Sequence, residues 1–180
     1  AKVPLRPDIA AAVIGRAEGN PLFLTELLAY TQTAADPSLL PTTLAGVASI
    51  QVDRLPPLTR QLLRHASVLG RSFRIVVLDR LLAPEPFGLS DETRADLSAF
   101  LEQDGTDRLR FRSAVTHDAA YQGLPFAKRR ELHARAGVVI ENLAGDHPEA
   151  VAEFLADHFA AARVDDKAWR YTRIAADRAF

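Results

Sequence analysis

Three residues at the junction of two helical patterns, Gly19, Asn20 and Pro21, have the types and the order that could form a ligand contact. Glycine tolerates the left-handed conformation just past a helix end, asparagine can cap the next helix, and proline fits its first position. The spacing therefore predicts an abrupt corner between two helices, and taken alone it favours a structural role. A rigid apolar proline ring beside a tight turn could also support a flat ligand.

A second pair, Ser113 and His117, is separated by one helical turn, so a helix would bring the two side chains within reach of each other. Nucleophilic catalysis by serine also needs an orienting carboxylate and an oxyanion hole, and the sequence indicates neither. Asp118 directly follows His117, and adjacent side chains on a helix point to different faces. We therefore expect a helix-capping serine, a half-exposed histidine and no catalytic residue.

The sequence lacks the usual residue patterns of metal sites and of phosphate-binding loops. There is no cysteine, and no two histidines stand at the i, i+4 spacing of a helical metal site. The glycine-rich phosphate loops G-x-x-x-x-G-K-[ST] and G-x-G-x-x-G are also absent. We expect no metal site, no cofactor and no enzyme activity in this chain alone. The five histidines are His65, His117, His133, His147 and His158.

Composition indicates a globular chain without an obvious polyanionic or membrane partner. The 180 residues are 48% apolar and 25% charged, with a net charge of −1. Nucleic-acid binders usually have a basic excess, and no apolar run approaches the roughly 18 residues that span a bilayer. We expect a soluble, cytoplasmic protein. Because position 1 is not methionine, we also expect it to be processed or cut from a longer chain.

Helical periodicity dominates the chain and predicts a mainly α fold. Residues 1–36 form a first helical segment, residues 42–122 a winged-helix-like domain and residues 126–180 a helical extension. Within the second segment, Arg108, Arg110 and Arg112 alternate with apolar residues, which predicts a short strand paired with residues 100–103 as a two-stranded wing. The run from Arg74 to Leu82 is compatible with either a buried strand or a helix.

A winged-helix-like domain raises the question of DNA binding. The row of Arg108, Arg110 and Arg112 could meet phosphates, but the segment Ser90–Asp104, predicted to be the helix that enters the groove, would repel them. That segment carries Asp91, Glu92, Asp96, Glu102 and Asp104 against only Arg94. DNA binding through the wing is therefore disfavoured, and a DNA-binding module with a helical dimerisation tail remains the alternative interpretation. A third interpretation is a protein-binding scaffold.

Several stretches resemble the STAND branch of AAA-like NTPases, in particular cyclase-associated ATPase modules and large LuxR-type transcriptional regulators of bacteria. The stretches are "AEGNPLFLTELL", "LPTTLAGVASIQVDRLPPLTRQLLRHASVLGRSF" and "RLRFRSAVTHDAAYQGLPFAKRRELHARAGVVIE". "ADHFAAARVDDKAWRYTRIAADRA" is similar to the tetratricopeptide-like (TPR-like) pair that follows in those proteins. The resemblance implies a helical lid in residues 1–36, then the winged helix, then the start of TPR-like repeats.

The same resemblance implies a role in nucleotide switching. An NTPase domain that binds ATP or ADP with magnesium would precede this segment and be its partner, while the output domain and the sensed ligand stay open. Gly19-Asn20-Pro21 stands where the family's Gly-x-Pro corner packs against adenine. Ser113 stands where related switches place a phosphate-sensing histidine, and it offers a hydrogen bond without a charge. His117, one turn on, is the candidate substitute. The arginine row and the acidic segment Ser90–Asp104 would be interdomain surfaces.

Overall fold

The computed structural model describes residues 6–31, 40–83 and 91–178 of the chain. Within these residues ten α-helices surround one small antiparallel sheet, which confirms the expected mainly α fold with a small β wing. The helices are α1 (Pro7–Ala17), α2 (Pro21–Thr31), α3 (Leu44–Asp53), α4 (Pro57–Ser67), α5 (Ile75–Leu82), α6 (Asp91–Ser98), α7 (Ala114–Gln122), α8 (Phe126–Ala144), α9 (Ala152–Ala162) and α10 (Asp165–Arg178). The strands are β1 (Ser72–Arg74), β2 (Leu101–Gln103) and β3 (Arg108–Phe111).

Helices α1 and α2 pack against α3 through a small apolar core. Val13, Leu27 and Val47, one from each helix, are fully buried there. Thr43 caps α3, because its Oγ1 accepts a hydrogen bond from the Gly46 N–H at 3.1 Å. The first helix of the predicted winged-helix-like segment thus shares its core with the predicted lid. The domain bounds themselves stay a prediction.

The sheet contains one strand more than the sequence pattern predicts. β1 pairs with β3, with Phe73 opposite Leu109, and β2 pairs with the other edge of β3, so that the spatial order is β1-β3-β2. The expected two-stranded wing is therefore part of a three-stranded sheet. The ambiguous apolar run after Arg74 is a helix, α5, that buries Leu78 and Leu81.

The acidic segment Ser90–Asp104 is not one helix, so its interpretation as a single groove-entering helix was wrong, whereas the expected pairing of residues 100–103 with the arginine strand is confirmed by β2. Helix α6 ends at Ser98, and strand β2 follows. The strand is stabilised because Leu101 pairs across the sheet with Phe111 and both side chains are buried. Ser90, predicted to cap the helix, lies outside the described residues. The proposed acidic surface is consequently divided between a helix and a strand.

Glu102, on strand β2, pairs with two residues of the arginine row. Its Oε1 lies 2.6 Å from Arg110 Nε and its Oε2 lies 3.0 Å from Arg112 Nη1. The carboxylate expected to face a second domain therefore partly neutralises the arginines within the wing itself. Both predicted interdomain surfaces meet in this contact.

Helix α8 connects the winged-helix-like core to the C-terminal helices. Leu132 and Ala136 on α8 are fully buried in the main core, while its other side contacts α9. At that contact Gly137 faces the ring of Phe159. Helix α9 begins at Ala152, after a single 3-10 turn at Pro148–Val151. None of the described helices has the length and apolar character needed to cross a bilayer.

Candidate functional site

The corner between α1 and α2 has the local geometry that its sequence predicts. Glu18 and Gly19 adopt consecutive left-handed conformations, with φ of 45° and 78°. Asn20 Oδ1 then accepts hydrogen bonds from the N–H groups of Leu22 and Phe23, at 3.0 and 3.2 Å, and Pro21 is the first helical residue. Two N–H groups that lack intrahelical partners are satisfied by one side chain, so the helix restarts without a linker.

This corner is open to solvent. Gly19, Asn20 and Pro21 are all exposed, and a Cβ placed on Gly19 would meet no atom within 4 Å. Glycine is therefore favoured here by its backbone angle and not by a close neighbour. Leu22, the next residue, has 47% of its surface exposed, so Pro21 and Leu22 together form a small exposed apolar surface.

A cleft of about 490 Å³ lies between α2, α3, the start of the wing and α7. Leu22, directly after the corner, is on one wall, and Ser113, at the start of α7, is on another. The structure therefore brings Leu22, the residue that follows the Gly19-Asn20-Pro21 corner, and Ser113 to one concave surface, while the three corner residues themselves do not line it. The cleft is lined by Leu22, Glu26, Ala29, Gln51, Arg54, Ala99, Phe100, Arg112, Ser113 and Thr116.

Ser113 occupies the N-cap position of α7 without capping it through its side chain. Its backbone is extended, its C=O accepts from the His117 N–H at 3.1 Å, and its hydroxyl makes no capping hydrogen bond. The first N–H groups of a helix and its positive dipole end favour an anion at such a position. The cleft therefore has one wall suited to negative charge.

Two arginines of the cleft are held by contacts within the chain. The Arg54 guanidinium lies 4.8 Å from the centre of the Tyr30 ring. Arg112 donates from Nε to Ser98 O at 2.9 Å and pairs with Glu102. No local pattern indicates the position of Arg54, because its place in the cleft depends on how α3 packs beside α2.

His117 does not line this cleft. Its Nε2 lies 3.0 Å from Ser67 O, on the end of α4, and its Nδ1 lies 2.9 Å from Asp118 Oδ1. Asp118 was expected to point to a different face of the helix, and that expectation was wrong because the exposed carboxylate folds back onto the neighbouring ring. Both ring nitrogens are thus engaged where α7 packs on α4, and the phosphate-sensing role of His117 stays a prediction.

Three other histidines are buried. Tyr121 Oη lies 2.9 Å from His133 Nε2, and His133 Nδ1 lies 3.0 Å from His158 Nδ1, so a hydrogen-bonded chain crosses from α7 through α8 to α9. Burial and then the neighbouring His133 lower the pKa of His158 to about 4. Burial, followed by Arg129, lowers the pKa of His133. His65, whose buried Nδ1 has no partner, has its pKa lowered to about 4, chiefly by burial.

These histidines do not form a metal centre. Across residues 6–31, 40–83 and 91–178, no group of three or more histidine or carboxylate side chains is placed to hold a metal ion. Sequence reasoning did not anticipate the contact between His133 and His158, which are 25 residues apart. No periodic pattern within either helix could have indicated it.

Comparison of the chain with protein-family models, with curated proteins and with solved structures gave no match.

Proposed function

We propose that this chain is the regulatory part of a STAND-type ATP-binding signalling protein of the cytoplasm. In this role α1 and α2 form a lid, and the winged-helix-like unit and α7 form a hinge, over a nucleotide that a preceding NTPase domain of the same protein binds. The chain contributes binding contacts and movement, while ATP hydrolysis belongs to the preceding domain. The output domain would be a nucleotide cyclase or a transcription factor.

The observation that supports the proposal is the shared cleft. The apolar Leu22, which directly follows the exposed Pro21, stands at one wall, and the N-terminus of α7 with Ser113 stands at another. A purine base needs a flat apolar contact, and a phosphate needs N–H donors and a positive dipole end. The chain therefore offers the two kinds of contact that a nucleoside diphosphate requires, without the glycine-rich loop that would bind it alone.

The chain would act as a switch because these contacts would be stronger in the ADP-bound state than in the ATP-bound state. With ADP bound, the lid and α7 would close over the nucleotide. Exchange for ATP, favoured by a ligand on the C-terminal helices, would separate them and release the output domain. Such a change requires two packings that differ by a few kcal/mol, so that differential nucleotide binding can shift their populations.

The test uses the protein extended by the residues that its gene encodes ahead of Ala1. Replacing Pro21 by alanine removes about two ring carbons from the proposed adenine contact, or about 1.5 kcal/mol at about 0.8 kcal/mol per buried CH₂. ADP affinity, measured by calorimetry, should fall about tenfold. The matched control is Pro7→Ala, because Pro7 is also an exposed proline at the first position of a helix.

The proposal is supported if Pro21→Ala weakens ADP binding while Pro7→Ala does not. Equal affinities for the two variants and the unaltered protein would exclude the adenine contact. A gene without an NTPase domain ahead of Ala1 would contradict the whole proposal.

A further inference from the structure

A second concave site lies beside strand β1 of the sheet. It is a cavity of about 150 Å³ between β1, β3 and α5 on one side and α8 and α9 on the other. Its walls are mainly apolar and include Phe73, Val77, Ile140 and Leu143. A cavity of this size, lined by aliphatic and aromatic side chains, can hold a molecule of about the size of benzene.

Arg108 brings a positive charge to this cavity. Its Nε donates to Ser72 Oγ and its Nη2 to Ser72 O, both at 3.2 Å. The other strand arginines of the described residues are paired, Arg74 with Asp107 at 3.0 Å and Arg110 with Glu102 at 2.6 Å.

Arg108, by contrast, forms no ion pair with any described carboxylate. The nearest acidic group in its hydrogen-bond network is Asp104, which accepts from Ser72 Oγ at 2.7 Å and so lies one hydrogen bond further away. A guanidinium that lines an apolar cavity without a carboxylate partner is suited to bind one from a ligand.

His158 adds a second polar group to the lining. Only 6% of its surface is exposed, and its Nδ1 is engaged with His133. Its Nε2 makes no hydrogen bond to any described residue. Because burial keeps this ring neutral near pH 7, it can donate or accept a hydrogen bond without adding a second charge. The lining therefore includes two guanidinium groups, Arg108 and the Asp107-paired Arg74, together with one neutral ring and an apolar body.

Phe154 stands at the mouth of the cavity, with 59% of its surface exposed. A large aromatic side chain next to an apolar opening provides a surface that a bound molecule would partly cover. Its position favours a ligand whose apolar part extends from the cavity to the rim.

We propose that this cavity binds a small aryl or branched aliphatic monocarboxylate, of about the size of benzoate, with its carboxylate on Arg108 and its apolar body against Phe73 and Ile140. One unpaired guanidinium matches one carboxylate, and the volume excludes a nucleotide. The site is separate from the cleft beside Ser113, and this inference does not rest on the proposed nucleotide switch.

The test is a titration of the isotope-labelled chain with benzoate, followed by amide NMR shifts, with benzamide as the uncharged isostere. Benzoate should give saturable shifts at residues of β1, β3 and α8, with a Kd below about 5 mM. Benzamide should bind at least about tenfold more weakly, because it cannot form a charge-assisted pair with Arg108.

Two variants test whether Arg108 is the residue that binds the carboxylate of benzoate. Arg108→Gln should weaken benzoate binding at least about tenfold. The matched control, Arg110→Gln, lies two residues along the same strand, is paired with Glu102 and does not line the cavity, so it should change the affinity less than about twofold.

The absence of saturable shifts up to about 20 mM benzoate would overturn the proposal. So would equal affinities for benzoate and benzamide, or unaltered affinity in a folded Arg108→Gln variant. The comparison of the two ligands uses the unaltered chain, so it decides the matter even if Arg108→Gln does not fold.

Discussion

His133 and His158, on α8 and α9, place their Nδ1 atoms 3.0 Å apart in a buried contact. One nitrogen must donate and the other accept, so the pair is stable only while at least one ring is neutral. The contact joins the helix that completes the winged-helix-like core to the first C-terminal helix. Its protonation therefore links pH to the packing of α9 on α8.

The first prediction concerns the pH dependence of stability. His158 and His65 have folded-state pKa values of about 4 against an ordinary value of 6.5, so the unfolded chain binds more protons between these limits. The free energy of unfolding should therefore rise with pH from about 4 to 6.5 and level off above. Acidification from about pH 7 to about pH 5 should lower the free energy of unfolding by about 2 kcal/mol for each of the two groups.

Urea denaturation at about pH 5 and about pH 7 measures this difference. His158→Gln should make the stability less dependent on pH. An unaltered pH dependence in a folded His158→Gln variant would contradict the assignment.

The second prediction concerns the close contact between α8 and α9. A methyl group on Gly137 would stand 2.8 Å from Phe159 Cε1 and 2.9 Å from Cζ, and Phe159 is only 1% exposed and has little room to move. Gly137→Ala should therefore lower the free energy of unfolding by about 1–3 kcal/mol.

Gly15→Ala is the matched control for that substitution. Gly15 lies inside helix α1, and a methyl group there would meet no atom within 4 Å. Better helix propensity should raise the stability by about 0.5–1 kcal/mol. Equal effects at Gly137 and Gly15 in urea denaturation would show that the contact with Phe159 is not tight.

The third prediction concerns the cap at the α1–α2 corner. Asn20→Ala removes the acceptor that satisfies two N–H groups of α2 and should lower the free energy of unfolding by about 1 kcal/mol. Asn20→Ser retains a capping oxygen and should cost less than about 0.5 kcal/mol. Thermal or urea denaturation distinguishes the two, and a larger loss with serine than with alanine would contradict the capping role.

The fourth prediction concerns DNA. Because Glu102 pairs with Arg110 and Arg112, the unaltered chain should not retard duplex DNA in a mobility-shift assay at about 0.1 M salt. Glu102→Gln frees both guanidinium groups and should increase any retention seen at lower salt. Tight binding by the unaltered chain, falling steeply with salt, would instead favour the DNA-binding interpretation.

The sequence predicts those features whose causes are local. The corner at Gly19 and Asn20 depends on neighbouring residues, and the structure has it. Strand β1 was missed because three residues carry no measurable period, and its pairing with β3 joins residues more than 30 positions apart.

The candidate sites were only partly predictable for the same reason. Leu22, beside the corner, and Ser113 line one cleft, and this arrangement depends on tertiary packing that no local pattern indicates. The pairing of Glu102 with the arginine row and the contact between His133 and His158 likewise arise from chain folding. Alternation and helix periods assign a residue to a face, but they do not identify the partner that the face meets.

The most direct test of the nucleotide-switch proposal is the rate at which a fluorescent ADP analogue leaves the preceding NTPase domain, measured with and without residues 1–180 attached. A lid over the nucleotide must hinder its release, so we expect dissociation at least about tenfold slower when these residues are present. Pro21→Ala should restore part of the faster rate. Equal release rates with and without this chain would contradict the proposal.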